Sequence, residues 1–354
     1  MRVVVTGASG NVGTSVLAAL RRDPAVEEIV GLARRVPNLA LPKVTWRQAD
    51  VTTSELEPLF AGADAVVHLA WAIQPSHDEP AMERVNVFGS QRVFGAAAAA
   101  GVGTLVYASS VGAYSPGPKD EAVDESWPTE GIETSAYSRH KARVERLLDD
   151  FAAGSQMRVV RLRPGLIFKR EAASEIRRFF LGPLLPNMLV RPRLIPFVPE
   201  VDRLVFQAVH ADDVGEAYRR AVVEQVDGAF NIAAEPTIGP PELASLLHAR
   251  RVPLPAKALR AAAALTWRAH LQPADPGWID LARGVPVMDV SRARQELGWE
   301  PRVSSLDALG ELLLGIRDSA GGDTPPLETG AGGPLRVGEF ASGIGSRNRP
   351  PWER

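Results

Sequence analysis

The sequence predicts an α/β protein built on a doubly wound parallel sheet, with a smaller, mainly helical part toward the C-terminus. Three observations predict it. Short β-branched runs alternate with helical stretches through the first half of the chain, the pattern of right-handed βαβ units. Several runs, such as Ala65-Val66-Val67, are apolar throughout, which suits strands covered on both faces. The first run leads straight into a glycine-rich turn and then a helix.

Taken in order, Val3 to Thr6 reads as the first strand and Asn11 to Arg22 as an amphipathic helix. Glu28 to Ala33, Val44 to Gln48 and Ala65 to Leu69 read as strands two to four. Glu79 to Ala100 is a long helix, Thr104 to Ser109 a fifth strand, Ser135 to Phe151 a helix, and Arg158 to Leu162 a sixth strand. After Pro164 the texture changes. Residues 182 to 204 are proline-rich without clean periodicity. A further unit follows, with strand Leu204 to Val209 and helix Asp212 to Val223, and short helices then run to about Ile316. From Asp318 onward the chain is rich in glycine and proline and reads as a disordered or loosely attached tail. The expected division is a nucleotide-binding domain over 1–165 with later contributions from about 204–232. A substrate-binding part covers 166–203 and 233–317, and the tail 318–354.

Composition bounds the chemistry. The chain has 354 residues, 45% of them hydrophobic, enough for a large core. A net charge of -2 gives no overall positive field to recruit nucleic acid, and no basic stripe with interleaved aromatics stands out. The absence of cysteine excludes disulfides, thiolate metal sites and a cysteine nucleophile. The six histidines are scattered without ligand spacing, so no metal is expected. The first apolar run is too short for a secretory leader. The uncharged stretch from Val93 to Pro118 is broken by Gly101, Gly103 and Gly112 and reads as helix end, turn and buried strand. The expectation is a cytoplasmic protein without a membrane span.

The turn Gly7-Ala8-Ser9-Gly10-Asn11-Val12-Gly13 carries the first specific chemistry. Gly7 allows a tight turn, Gly10 lets the backbone approach a pyrophosphate, and Gly13 lets the helix pack near the strand. The helix N-terminus offers unpaired N–H groups and a positive dipole end to phosphates. Between a first strand and a first helix, this is the signature of a Rossmann-type dinucleotide site. Tyr137-Ser138-Arg139-His140-Lys141 carries the second. Positions i and i+4 share a helical face, so the phenol and the ammonium can reach one cofactor ribose. A free phenol titrates near ~10, too high for a base at neutral pH, and a neighbouring ammonium stabilises the phenolate. His140 lies at the wrong helical angle to join the pair and reads as a solvated or packing residue.

The spacing G-x-x-G-x-x-G together with Tyr-x-x-x-Lys resembles the extended branch of the short-chain dehydrogenase/reductase family, also called the NAD-dependent epimerase/dehydratase group. The similarity runs from Met1 to about Ile316. Asp50-Val51 resembles the acidic position beside adenine. Val67-His68-Leu69-Ala70 resembles the fourth strand, whose end lies along the cofactor, and Asn86-Val87-Phe88-Gly89-Ser90 resembles the family's long helix. Val106 to Tyr114 resembles the strand that delivers a catalytic hydroxyl, assigned by alignment to Ser110 rather than Ser109. Arg161-Leu162-Arg163-Pro164-Gly165 resembles the segment beside the nicotinamide. Val209 to Val214 resembles a return to the sheet, where His210 and Asp212 read as a helix cap and its packing. Glu296 to Pro301 matches a late structural motif.

The resemblance implies that Tyr137 is the proton donor or acceptor, that Lys141 lowers its pKa and holds the ribose, and that Ser110 hydrogen-bonds the reacting oxygen. The expected cofactor contacts are Gly7, Ser9, Gly10, Asn11, Val12, Gly13, Arg34, Arg35, Asp50, Val51, Leu69, Ala70, Trp71, Asn86, Tyr137, Lys141 and Pro164. After the second strand the chain reads Gly31-Leu32-Ala33-Arg34-Arg35, without the carboxylate that NAD-binding members carry. Two guanidiniums suit a 2′-phosphate, so NADP(H) is favoured over NAD(H).

Dehydratases of the group carry an Asp-Glu pair just after the serine or threonine. Val111 and Gly112 stand there instead, which disfavours dehydration. The expected activity is hydride transfer between nicotinamide C4 and a carbonyl or alcohol carbon. The alternatives are a sugar-nucleotide epimerase with retained NAD and a non-catalytic NADP-binding sensor or scaffold. Trp71, Ile73, Tyr114, Leu166, Phe168, Phe179 and Phe180 are candidate pocket walls, and their prevalence would favour an apolar substrate. Arg177, Arg178, Arg191 and Arg193 could instead serve a diphosphate. Helices around 84–100 and 137–152 resemble those of the family's four-helix interface, so a homodimer is expected.

Overall fold

The structure, a computed structural model, describes residues 1–74, 76–182 and 195–331. Its centre is a seven-stranded, wholly parallel sheet. The first five strands are β1 (Arg2–Thr6), β2 (Glu28–Ala33), β3 (Val44–Gln48), β4 (Ala65–His68) and β5 (Thr104–Ala108). Across the sheet the order is Gly228–Ile232, Arg158–Pro164, β5, β4, β1, β2, β3. The order reverses at β1, between β4 and β2. An open parallel sheet leaves a crevice at the carboxyl ends of its strands at such a switch point.

Strand alternation sorts side chains to two cores. Val3 and Val5 of β1 face one layer with Leu17 and Leu20 of the first helix, Asn11–Arg22, and with Val214, Tyr218 and Val222 of the helix Ala211–Val223. Val4 faces the other layer, with Val93 and Phe94 of the helix Gly89–Ala99 and Val144 and Leu148 of the helix Ala136–Ala153. Both faces are covered, as the apolar runs require. Each such fully buried side chain contributes about 1.5–3 kcal/mol of transfer free energy.

Four differences from the sequence reading concern non-local pairing. The segment expected as strand Leu204 to Val209 forms only Ala208–His210, which pairs with Leu166–Phe168 in a separate ribbon. The return to the main sheet is made by Gly228–Ile232, beside Arg158–Pro164. The long helix is continuous from Glu79 to Ala99 but relaxes into a π-turn over Arg84–Phe88, which turns Asn86 inward. The tail does not start at Asp318. Residues 318–331 fold back over the body, because Leu327 and Thr324 have places to bury. Thr324 Oγ1 donates to the Ser9 carbonyl at 2.7 Å, and Ser174 Oγ donates to the Ala320 carbonyl at 2.9 Å. The remainder of the expected tail, 332–354, and most of the proline-rich stretch lie outside the described residues. The C-terminal part is dominated by the helices Pro240–Leu247, Ala256–Arg268, Gly277–Gly284 and Ser305–Arg317.

Candidate active site

The carboxyl ends of β1, β4, β5 and Arg158–Pro164 open onto one cavity of about 780 Å³. Gly7 leaves β1 with a φ of +69°, in the left-handed region, and a Cβ there would stand 2.8 Å from the Ala70 nitrogen. A Cβ on Gly13 would stand 2.4 Å from the Gly7 carbonyl oxygen. The turn is therefore held tight against both β4 and the first helix, as the spacing requires. Gly10 caps that helix without a side chain, and Gly7, Gly10, Asn11, Val12 and Gly13 all line the cavity. Asn11 Oδ1 and Trp71 Nε1 are buried without a partner among the described residues. A bare helix N-terminus, a glycine cradle and orphaned polar atoms fit a dinucleotide.

Tyr137 is the second residue of its helix. Ser135 caps the helix by accepting from the Ser138 N–H at 3.4 Å, and Ser138 Oγ donates to the Gly112 carbonyl at 2.5 Å. This ties the helix start to the turn that carries Ser110. The Tyr137 ring lies against Gly112, where a Cβ would come within 2.8 Å of its Cε1. The ring also stands between Trp71, with centroids 6.0 Å apart, and Trp278, at 4.9 Å. Burial pushes the phenol up to about 12, opposed by a hydrogen bond with Ser110. At neutral pH the phenol is therefore a proton donor.

Lys141 lies one turn further along the helix. Its Nζ donates to the Ala108 carbonyl at 2.6 Å and sits 3.4 Å from the Trp71 ring centroid. Burial holds it well below the usual lysine value, and the Glu145 carboxylate opposes that shift. The expectation that this ammonium depresses the phenol is not the balance found, since burial of Tyr137 prevails. Ser109, adjacent to Ser110, donates to Glu145 instead. Glu145 also accepts from Arg161 and Arg163.

Of the sequence-predicted contacts, Gly7, Gly10, Asn11, Val12, Gly13, Leu69, Trp71, Ser110, Tyr137, Lys141 and Pro164 meet at this cavity. The others do not line it. Arg34 and Arg35 are exposed at the carboxyl end of β2. Asp50 Oδ1 accepts from the N–H and hydroxyl of Thr52 in its own turn, and Val51 is core, against Gly89. Ser9 is buried and gives its carbonyl to Thr324. Ala70 backs the Gly7 turn. Asn86 is a positioning residue, because its amide brackets Ala72, accepting from the N–H at 2.7 Å and donating to the carbonyl at 2.9 Å. His140 is buried and bonded to Asn86 and Glu79 rather than solvated. His210 caps the helix Ala211–Val223, and Asp212 accepts from Ser15.

The walls beyond the hydroxyl pair are mostly aliphatic and aromatic, with Gln207 and Glu175 as polar exceptions. Trp71, Ile73, Leu166, Phe168 and Phe180 contribute as expected. Tyr114 does not, because it is fully buried with its hydroxyl on Asn231, and Phe179 does not line the cavity. Trp278, Leu281, Val285, Leu312 and Ile316 do. Nothing in their local sequence marks them, since an apolar helical stripe reads as core. Arg177 and Arg178 point elsewhere: Arg177 donates to the Gly182 carbonyl, and Arg178 to the carbonyls of Pro326 and Glu328. Arg191 and Arg193 lie outside the described residues. No group of three or more metal-ligating side chains occurs among the described residues, and no described helix is long and apolar enough to cross a membrane.

Comparison with known proteins gives this geometry its context. An uncharacterised protein of Mycobacterium tuberculosis is 28% identical over 91% of the chain, but the chain spans only 31% of that relative's length. A Stigmatella aurantiaca protein named 4-hydroxy-2-methyl-3-oxo-4-farnesyl-3,4-dihydroquinoline-1-oxide ketoreductase is 28% identical over 87% of this chain and 96% of its own. In fold, the chain superposes on the Thermus thermophilus UDP-glucose 4-epimerase, solved with NAD, with a TM-score of 0.65 at 22% identity, over 90% of this chain and 99% of that one. A family model matches residues 3–233, which span the phosphate turn, the Ser110 strand and the Tyr137 helix, and the chain belongs to the NAD dependent epimerase/dehydratase family.

Proposed function

We propose that the chain is a nicotinamide-dependent oxidoreductase that interconverts an apolar carbonyl compound and its alcohol. The observation that carries this reading is the contrast within one cavity. Ser110 and Tyr137 present paired hydroxyls, and the rest of the wall is mostly apolar, with Gln207 and Glu175 as polar exceptions and Lys141 its one cation among the described residues. A nucleotide-sugar epimerase must hold a second diphosphate, and the described wall offers no guanidinium for it.

The glycine turn and first helix would hold the dinucleotide's diphosphate, and Lys141 its ribose. The bound nicotinamide supplies or accepts a hydride at C4. The chain's own residues handle the oxygen and its proton. Ser110 orients the carbonyl oxygen by hydrogen bonding. Tyr137, neutral because it is buried, donates its proton to that oxygen as negative charge develops there, and takes it back in the oxidative direction. The rings of Trp71 and Trp278 flank the phenol ring and fix its position. Gly112 leaves no room for the side chain that a dehydratase carries there.

The Stigmatella relative is named for reducing a ketone on a farnesylated ring, in keeping with an apolar pocket. The exposed Arg34 and Arg35 at the carboxyl end of β2 support NADP(H) as the favoured cofactor. Solved relatives of the fold carry NAD, so NAD(H) is the competing one.

The test supplies NADPH or NADH with a panel of cyclic and prenylated ketones, and in parallel UDP-sugars with NAD. Net consumption of reduced cofactor with an apolar ketone, lost by at least about 10³-fold in Tyr137→Phe while cofactor affinity is kept, is the expected result. Interconversion of UDP-sugars without net cofactor turnover would replace this reading with epimerisation.

A further inference from the structure

We propose that Glu175 is a direct ligand of the dinucleotide's diphosphate and meets it as the neutral acid, so that each cofactor bound brings one proton into the site. This rests on the dinucleotide reading above and adds to it a residue from the C-terminal part.

The first turn of the helix Asn11–Arg22 is where a diphosphate rests in a Rossmann-type site. That turn already has a tenant. Glu175, on the short helix Ala173–Ile176, lines the same cavity as Gly10, Asn11 and Val12. Its carboxyl accepts a hydrogen bond from the Asn11 backbone N–H. A carboxyl thus stands beside the place where a phosphate oxygen is expected, at an N–H that the glycine turn exposes.

Glu175 cannot easily withdraw. Its neighbour Ser174 is fixed by two bonds to the Ala320 carbonyl, from its N–H at 3.2 Å and its hydroxyl at 2.9 Å. The segment 318–331 is in turn fixed to the phosphate turn by Thr324 on Ser9. Lys169, one of the two cations that act on Glu175, is committed elsewhere: its Nζ donates to the Asn11 carbonyl at 2.8 Å, to Thr14 Oγ1 at 2.7 Å and to Ser15 Oγ at 3.1 Å. It steadies the helix start from behind.

The charged groups around Glu175 come from several elements. Lys169 and Arg178 favour its ionised form. Glu171 and Asp212 act on Lys169. On the final helix Glu311 pairs with His210, and Arg317 and Arg170 pair with Asp318. Burial outweighs the nearby cations and raises the carboxyl to about 7. A bound diphosphate adds negative charge within contact distance and raises it further. A carboxylate there would repel phosphate, whereas a carboxylic acid donates an O–H to a phosphate oxygen in a charge-assisted bond. The balance is one carboxylate, one proton and one dinucleotide giving one protonated complex.

Calorimetric titration of the full chain with NAD⁺ tests this, because NAD⁺ has no 2′-phosphate to titrate. Binding heats at about pH 8.5, compared in two buffers of different ionisation enthalpy, give the number of protons taken up. The expected uptake is between about 0.5 and 1, with Kd weakening toward about tenfold per pH unit above the Glu175 value. Glu175→Gln keeps a donor of the same shape. It should bind without uptake, with a pH-independent Kd, and more tightly than the parent by about tenfold at pH 8.5. Lys141→Met should keep the uptake, which excludes that ammonium as its source. Binding without proton uptake in the parent chain, or unchanged uptake in Glu175→Gln, overturns the proposal and leaves the dinucleotide reading standing. Failure to bind either dinucleotide between about pH 6 and 9 removes the reading and the proposal together.

Discussion

The Lys141 ammonium rests 3.4 Å from the centre of the Trp71 ring while donating to the Ala108 carbonyl at 2.6 Å. Trp71 follows β4 and Lys141 rides the helix Ala136–Ala153, so the contact joins two elements that frame the cofactor crevice. A desolvated cation–π contact contributes about 2 kcal/mol to the charged form. It offsets part of the burial that holds this lysine below its ordinary value. Removing the ring in Trp71→Leu should lower the lysine further. If turnover needs the ammonium, activity is lost as pH rises through its pKa, and the alkaline limb of the kcat/KM profile should move about one unit toward acid. An unmoved limb would dissociate Trp71 from the charge state of Lys141.

Arg34 and Arg35 stand exposed just beyond β2, where the chain carries no carboxylate directly after the strand. If they serve a 2′-phosphate, NADP(H) binds more tightly than NAD(H). The double variant Arg34→Ala/Arg35→Ala should then weaken NADP(H) by about 10–100-fold and leave NAD(H) within about threefold. Fluorescence titration of both cofactors reads this directly. Tighter NAD(H) binding in the parent chain would reverse the preference.

Behind the site, Glu145 is fully buried between Arg163, whose Nε lies 2.9 Å away, and Arg161, at 3.0 Å. Burial opposes its ionisation, but the two guanidiniums and Ser109 outweigh burial and bring the carboxyl down to about 2. A carboxyl held below its unfolded value stabilises the fold above that value. The contribution falls away as acid protonates it, between about 4.5 and about 2. Arg163→Met removes two of the buried carboxylate's charge-assisted bonds, leaving it Arg161 and Ser109, and should cost about 3 kcal/mol at neutral pH. Its acid-unfolding midpoint should also shift. Urea denaturation at pH 7 and pH 4 measures both.

Phe88 is 46% exposed on the long helix, and Arg143 of the Tyr137 helix stacks on it at 5.5 Å. An exposed aromatic shared by these two helices suits the homodimer expected from the resemblance. Light scattering at micromolar concentration should give twice the chain mass, and Phe88→Asp should halve it. A monomeric parent chain rejects the dimer.

The local patterns of the sequence determined most of the frame. A period of two sorted Val3, Val4 and Val5 to opposite cores, and the glycine spacing matched a turn whose Gly7 and Gly13 have no room for a side chain. The i, i+4 spacing of Tyr137 and Lys141 follows from helix geometry alone. Just past the strand Thr104–Ala108, Ser110 bonds the phenol while Ser109 is taken up by Glu145. Only the tertiary structure decided what distant segments do. It set the Asn86 amide as a clamp on Ala72, and recruited Trp278 and Ile316 to the cavity wall. It also laid Thr324 on Ser9 across 315 positions of sequence. These contacts join residues with no shared periodicity. Their energies come from burial and hydrogen bonding between segments whose meeting is fixed by chain topology, and topology leaves no mark on the residues next to them.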